Sequence, residues 1–355
     1  MTASERPYRL RNEKVSYFAK KRCRVSLLLL TFFLTAPTHA EGGLLESCAR
    51  LFRGLGPSPA SRLPAKKARP QKILVHGARG PGEPKLRGYI DEANDVLAEL
   101  SLPPHLDIDV TGGAQDIHYL YEDFRIVLPK EFAGDFTRET ETAKRSFLQH
   151  EYGHAVFDEN FGKFSTEWKN WLITAQARGL FDSQSRAPFP QALHRLSAPY
   201  QELFADLLTV ATHGDPQAIS RPLHRFVDAG DPRVTMRDFG GTVFEARWTE
   251  PEEVVGEFGP IRGANPLEAP PEKLRKISDE HLAFSPVRAY LWENYFSRPD
   301  LADQKPALMR LVFVTIAQEL LERHADDNLR KLSFPQASAR LLKALDKSLA
   351  GYQLK

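Results

Sequence analysis

The sequence predicts an α+β protein, with a small mixed sheet set over one long helix and a mainly helical carboxy-terminal part. Three features lead to that expectation. Short apolar runs bounded by Gly and Pro recur between residues 72 and 129, the pattern of strands. One stretch among them, 84–100, carries Leu86, Ile90, Ala93, Val96, Leu97 and Leu100 at helical spacing. Beyond residue 163 the apolar residues keep that spacing, apart from a Gly/Pro-rich interval at 214–280.

Residues 1–40 read as an export signal. Lys20-Lys-Arg-Cys-Arg24 precedes the apolar run 25–36, and Thr38-His-Ala40 supplies a small-residue cleavage site that makes Glu41 the mature start. A spanning helix needs about 20 apolar residues. This run is shorter and ends at Pro37, which favours cleavage over a retained anchor and predicts a secreted or periplasmic protein with no stable membrane insertion. Of the two cysteines only Cys48 survives cleavage, so no internal disulfide forms. That suits a bacterial periplasm or medium better than a disulfide-braced secretion. Glu46 makes Leu44-Leu-Glu-Ser-Cys48 a poor lipid-attachment box. Residues 41–72, rich in Pro and basic side chains, read as a linker.

Within the core, Lys72-Ile-Leu-Val-His76 opens as a strand and 84–100 follows as a helix. Leu106-Asp-Ile-Asp-Val110 alternates like a half-buried strand, and further strands are expected at 118–121 and 124–128, with Pro129 confining the last to a sheet edge or end. His76 and His118 carry no assigned role. A helix is expected at about 140–160, because acids precede apolar positions after Arg138 and Gly162 offers a carboxy-terminal cap. Residues 73–162 thus form a sheet and helix subdomain, and 163–355 a mainly helical one. In the latter, helices are expected at 165–180, carrying Trp168, Trp171 and Leu172, and at 197–214, with Ser197 as cap, Pro199 in the first turn and Gly214 at the end. The interval 214–280, with a short strand at 242–246, reads as a loop over a cleft. Two amphipathic helices close the chain around Leu308–Leu320 and Leu341–Leu349.

The chemistry concentrates in His150-Glu151-Tyr152-Gly153-His154. On a helix, residues four apart share a face, so both imidazoles reach one metal ion with Glu151 beside it. Gly153 is costly inside a helix, by about 1 kcal/mol relative to alanine, which points to another backbone passing close by. Glu202 and Asp206 also fall four apart, amid Leu203, Phe204, Leu207 and Leu208. Carboxylates in such apolar surroundings need a partner. A metal satisfies Glu202 and a metal-bound imidazole satisfies Asp206. Two imidazoles and one carboxylate leave a tetrahedral zinc ion (Zn2+) a fourth position for water, whose proton Glu151 would take.

His150-Glu151-x-x-His154 with Glu202-x-x-Ala205-Asp206 resembles the gluzincin (thermolysin-like) zinc metallopeptidases. The resemblance implies a zincin-like fold, zinc on His150, His154 and Glu202, catalytic Glu151, and Asp206 orienting a ligand histidine. It also implies that a strand near Phe124–Leu128 lies along the cleft. The interval of 48 residues between His154 and Glu202 is longer than in the aminopeptidase branch. No third histidine follows His154 closely, so the metzincin pattern is absent.

The expected reaction is hydrolysis of a peptide bond, with a peptide or protein as substrate. An oxyanion donor is also required. His281 is the first candidate, with Arg288, Tyr290 and Tyr200 behind it. A protein keeping the fold and zinc without turnover is the alternative reading, and the intact Glu151 argues against it. Residues 1–40 hold eight Lys or Arg and two Asp or Glu, which leaves 40 basic against 44 acidic residues beyond them. No basic stripe remains to bind nucleic acid.

Overall fold

The computed structural model describes residues 71–352 except 79–81, 112–116, 122–123, 135–137, 177–190, 224–236, 241–253, 257–258, 262–280, 282 and 333. The export signal, all but the end of the linker, and the strand expected at 242–246 lie outside the described residues.

Four strands, β1 (Lys72–His76), β2 (His105–Asp109), β3 (His118–Leu120) and β4 (Arg125–Val127), form one mixed sheet in the order β1-β2-β4-β3. β1 and β2 run parallel with Ile73 opposite Leu106 and Val75 opposite Ile108. A parallel pair needs a crossover, and α1 (Gly82–Val96) supplies it, burying Leu86, Ile90 and Ala93 completely. β4 adds in parallel to β2, and β3 folds back antiparallel onto β4. This corrects the placement of 124–128 along a cleft. β4 is hydrogen-bonded on both sides, and the edge strand is β3. Pro129 falls beyond the end of β4, where its missing N–H costs the ladder nothing.

The sheet is followed by α2 (Arg138–Phe161), α3 (Thr166–Gln176) and α4 (Gln191–His213). Gly162 stops α2, donating its N–H to the Asp158 carbonyl at 3.1 Å. α4 begins two turns before the expected Ser197 cap. Pro199 sits inside it, and the turn it interrupts starts at the exposed Arg195, whose carbonyl water can satisfy. Ser197 bonds the His194 carbonyl at 2.8 Å instead of capping. The added turns are held by the burial of Leu193 and by His194 stacking on Trp168 at 6.1 Å.

A two-stranded antiparallel ladder pairs β5 (Val254–Gly256) with β6 (Gly259–Ile261). Then come α5 (Ser285–Leu291), α6 (Lys305–Ala325) and α7 (Phe334–Leu349). α6 locks α2 to α4 through rings: Phe313 lies 5.5 Å from Phe157 and 5.6 Å from Phe204, which are themselves 6.0 Å apart. Full burial of one such side chain is worth roughly 1.5–3 kcal/mol, so this cluster fixes the two helices that carry the site. Among the described residues no helix is long and apolar enough to cross a membrane.

Candidate metal centre

α2 and α4 pack antiparallel. Gly153 lies against Ala205, and further along Thr209 Oγ1 reaches the Ser146 carbonyl at 3.5 Å while His213 Nε2 reaches Ser146 Oγ at 3.4 Å. The contact lies between His150 and His154 on α2 and between Glu202 and Asp206 on α4, and it brings Glu202 to both imidazoles and Asp206 to His150.

His150 Nε2 and His154 Nε2 stand 3.2 Å apart. Glu202 faces both rings with different oxygens, Oε2 3.3 Å from His150 Nε2 and Oε1 3.4 Å from His154 Nε2, and one ligand atom from each of the three residues lies within 4.8 Å of the others. Metal–ligand bonds of about 2.0–2.1 Å in a tetrahedron put neighbouring ligand atoms about 3.3 Å apart. Among the described residues, these three form the group that can hold a metal ion. Glu202 Oε2 is buried and meets no hydrogen-bond donor in good geometry, although the Nη2 of Arg237 and the Nε2 of His281 each lie 3.5 Å away. Such an orphaned carboxylate oxygen, aimed at two imidazoles, fits a cation.

The groups also act on one another through their charges. Burial alone would raise the Glu202 carboxyl, but His150 and His154 hold it well below the usual carboxylate range. Burial and Arg237 push His150 down, yet Glu202 and Asp206 outweigh them and leave it raised to about 9. A proton and a metal ion therefore compete for this ring.

Asp206, one turn beyond Glu202, is wholly buried. Its Oδ1 lies 3.1 Å from His150 Nδ1, which fixes the ring with Nε2 toward the other ligands. Two arginines complete its shell. Arg237 Nε donates to both carboxylate oxygens at 3.1 Å, and Arg288 donates to Oδ2 from Nε at 3.0 Å and Nη2 at 2.8 Å. Against the burial that would raise it, these guanidiniums hold Asp206 well below its usual range.

The group opens on a cleft of about 850 Å3 whose lining includes Glu151, His154, Glu202, Arg237 and His281. Glu151 and His281 thus reach the same space as the ligand triad. Arg288, a candidate donor by sequence, is instead fully buried, bonded to Asp206 and the Ala283 carbonyl. Tyr200 is buried and accepts from Arg323 at 3.0 Å, and Tyr290 donates to Asp346 at 3.0 Å. None of these three lines the cleft. His118 does, from the edge strand, whereas His76 sits on β1 with Asp107 at 3.9 Å.

Sequence reasoning missed Arg237 and His194. Arg237 falls in the interval 214–280, which has no periodicity to tie it to any face. His194 was lost with the first two turns of α4, because Pro199 was read as a first-turn proline.

Comparison with protein-family models, with curated proteins and with solved structures returned no match to this chain.

Proposed function

We propose that the chain is an exported zinc metallopeptidase with a zincin-like arrangement of the gluzincin kind. The observation that carries this reading is the convergence of His150, His154 and Glu202: the two Nε2 atoms stand 3.2 Å apart and each ring has a different oxygen of the Glu202 carboxylate at 3.3 or 3.4 Å, a donor set that suits zinc.

Bound there, zinc would act as a Lewis acid and bring the pKa of a coordinated water near neutrality. Glu151, next to His150 and open to the cleft, is placed to take a proton from the attacking water and pass it to the leaving amine. His281 is placed to donate to the carbonyl oxygen as charge develops on it. Asp206 keeps His150 in the tautomer whose Nε2 is free to coordinate, and Arg237 and Arg288 keep Asp206 ionised. The edge strand β3, whose His118 and Tyr119 line the cleft, is suited to pair with an extended peptide.

Elemental analysis of the purified protein tests the site, and Glu151→Gln tests the chemistry. The expected result is one zinc per chain, lost in His150→Ala and in Glu202→Ala. Glu151→Gln should keep the metal while peptide hydrolysis disappears. Equal activity in Glu151→Gln would overturn the mechanism, and absence of stoichiometric zinc would overturn the centre. The reading of a zinc-binding protein without turnover requires an inactive wild type.

A further inference from the structure

The cleft has two unlike ends. Along α2 toward its start, the wall is made by Phe147, Ala143 and Phe132, joined by Ile219 and Leu223. Past the ligand triad, on the His154 side, the wall is made of rings. Tyr119 of β3 lies parallel to the His154 imidazole at 6.4 Å. Tyr121 and His194 stand 5.3 Å apart, and both line the cleft. They are held from behind by the buried indoles of α3: Trp171 lies 5.1 Å from Tyr121, Trp168 stacks on His194 at 6.1 Å, and the indoles are 5.4 Å from each other. The wall is therefore rigid before anything binds, so little ordering is lost on binding.

We propose that this end of the cleft, walled by Tyr119, Tyr121 and His194, is a subsite for an aromatic side chain of the peptide substrate. The assignment rests on the peptidase reading above and names the substrate feature that site selects. Ring pairs prefer offset or edge-to-face contacts at 4.5–7 Å, and three differently tilted rings around one space offer both. A wall made by Tyr119, Tyr121 and His194 presents no carboxylate or guanidinium to pair with a charged side chain. His194 precedes Glu202 by eight residues, or about 12 Å along a helix. An extended peptide advances about 3.3 Å per residue, so the aromatic residue sits two to four positions from the bond cut, on one side of it only.

The test uses zinc-loaded Glu151→Gln protein and random-sequence peptide mixtures with one position fixed as Phe, Leu or Asp. Binding is read by calorimetry. A Phe mixture should bind about 10-fold tighter than the matching Leu mixture, and the Asp mixture weakest. That ratio should fall toward one in both His194→Asn and Tyr121→Leu, two separate variants made in the same background and checked for zinc content. Equal binding of Phe and Leu mixtures, or a preference that survives both substitutions, overturns the subsite. Cleavage by the wild-type protein is followed separately. Cleavage without a ring-dependent preference defeats the subsite alone, and a ring-dependent preference without cleavage defeats the peptidase reading alone.

Discussion

Gly153 of α2 and Ala205 of α4 meet backbone to backbone: a Cβ added at Gly153 would stand 2.6 Å from Ala205 Cα and 2.9 Å from its Cβ. The contact falls between His150 and His154 on one helix and between Glu202 and Asp206 on the other. It sets the helix separation at the level of the ligands. A bulkier residue at either position would move Glu202 away from both imidazoles.

Gly153→Ala should therefore cost about 1–3 kcal/mol of stability, the usual range for overpacking, despite alanine's better helix propensity. Zinc content should fall with it. Chemical denaturation and elemental analysis check both, and Ala205→Gly in the same chain should recover part of the loss because the two residues share one contact. A fully stable, fully zinc-loaded Gly153→Ala protein would show that the helices are spaced by something else.

Asp206 balances two buried guanidiniums and orients His150. Asp206→Asn removes the counter-charge and leaves Arg237 and Arg288 buried, so a loss of about 3–5 kcal/mol is expected. Metal affinity should drop about 10- to 100-fold, as when an imidazole loses its outer partner. Urea denaturation with a zinc-competition titration measures the two effects. If affinity drops and stability does not, the arginines have other partners.

The grouping of the candidate ligands was legible in the sequence because helical spacing alone puts residues four apart on one face. That argument fixes His150 with His154, and Glu202 with Asp206, and the mid-helix Gly153 announced the close neighbour later found in Ala205. Sheet order was not legible. β3 and β4 are three residues each, too short for a pattern to show which of them is paired on both sides. Arg237 was hidden for a related reason: a side chain delivered from an irregular segment has no period to betray its direction. Arg288 was visible but offered as an oxyanion donor, since nothing in its own helix shows that a buried acid, here Asp206, claims it.

Asp158, one turn after His154, is buried against Tyr119 and Trp168. Burial pushes its carboxyl up to about 8, against a lowering by those two donors. The folded protein therefore holds this proton where the unfolded chain, at 3.8, has released it. A raised folded value means the contribution is complete below pH 3.8 and is lost as pH climbs to about 8. His213 acts the other way: burial first, then Arg145, lower it from 6.5 to about 4, so its contribution is lost as pH falls from 6.5 to about 4. Between pH 6.5 and about 8 the Asp158 effect changes together with that of His150, whose value is raised from 6.5 to about 9, and both lower stability as pH rises. Asp158→Asn should make the fall in stability across that window shallower, and on the acid side, where the Asp158 loss offsets the His213 gain, it should make stability rise more steeply with pH. Denaturation midpoints across the range decide it, and parallel curves for the two proteins would mean that Asp158 titrates normally.

The donor role of His281 separates from a ligand role by what is lost with the ring. Its Nε2 lies 3.5 Å from Glu202 Oε2, and its side chain is 32% exposed at the cleft, so it approaches the ligand triad from the side a substrate enters. Removing one oxyanion donor costs about 10²- to 10³-fold in kcat. His281→Ala should show that loss with KM for a peptide little changed and zinc retained in full, because the interaction strengthens only as charge develops. Tyr290→Phe, whose hydroxyl serves Asp346 and Tyr295 away from the cleft, should turn over normally. Should His281→Ala lose zinc in proportion to activity, its imidazole belongs to the metal's own shell and the oxyanion must be met by another group, with Arg237 the nearest cation.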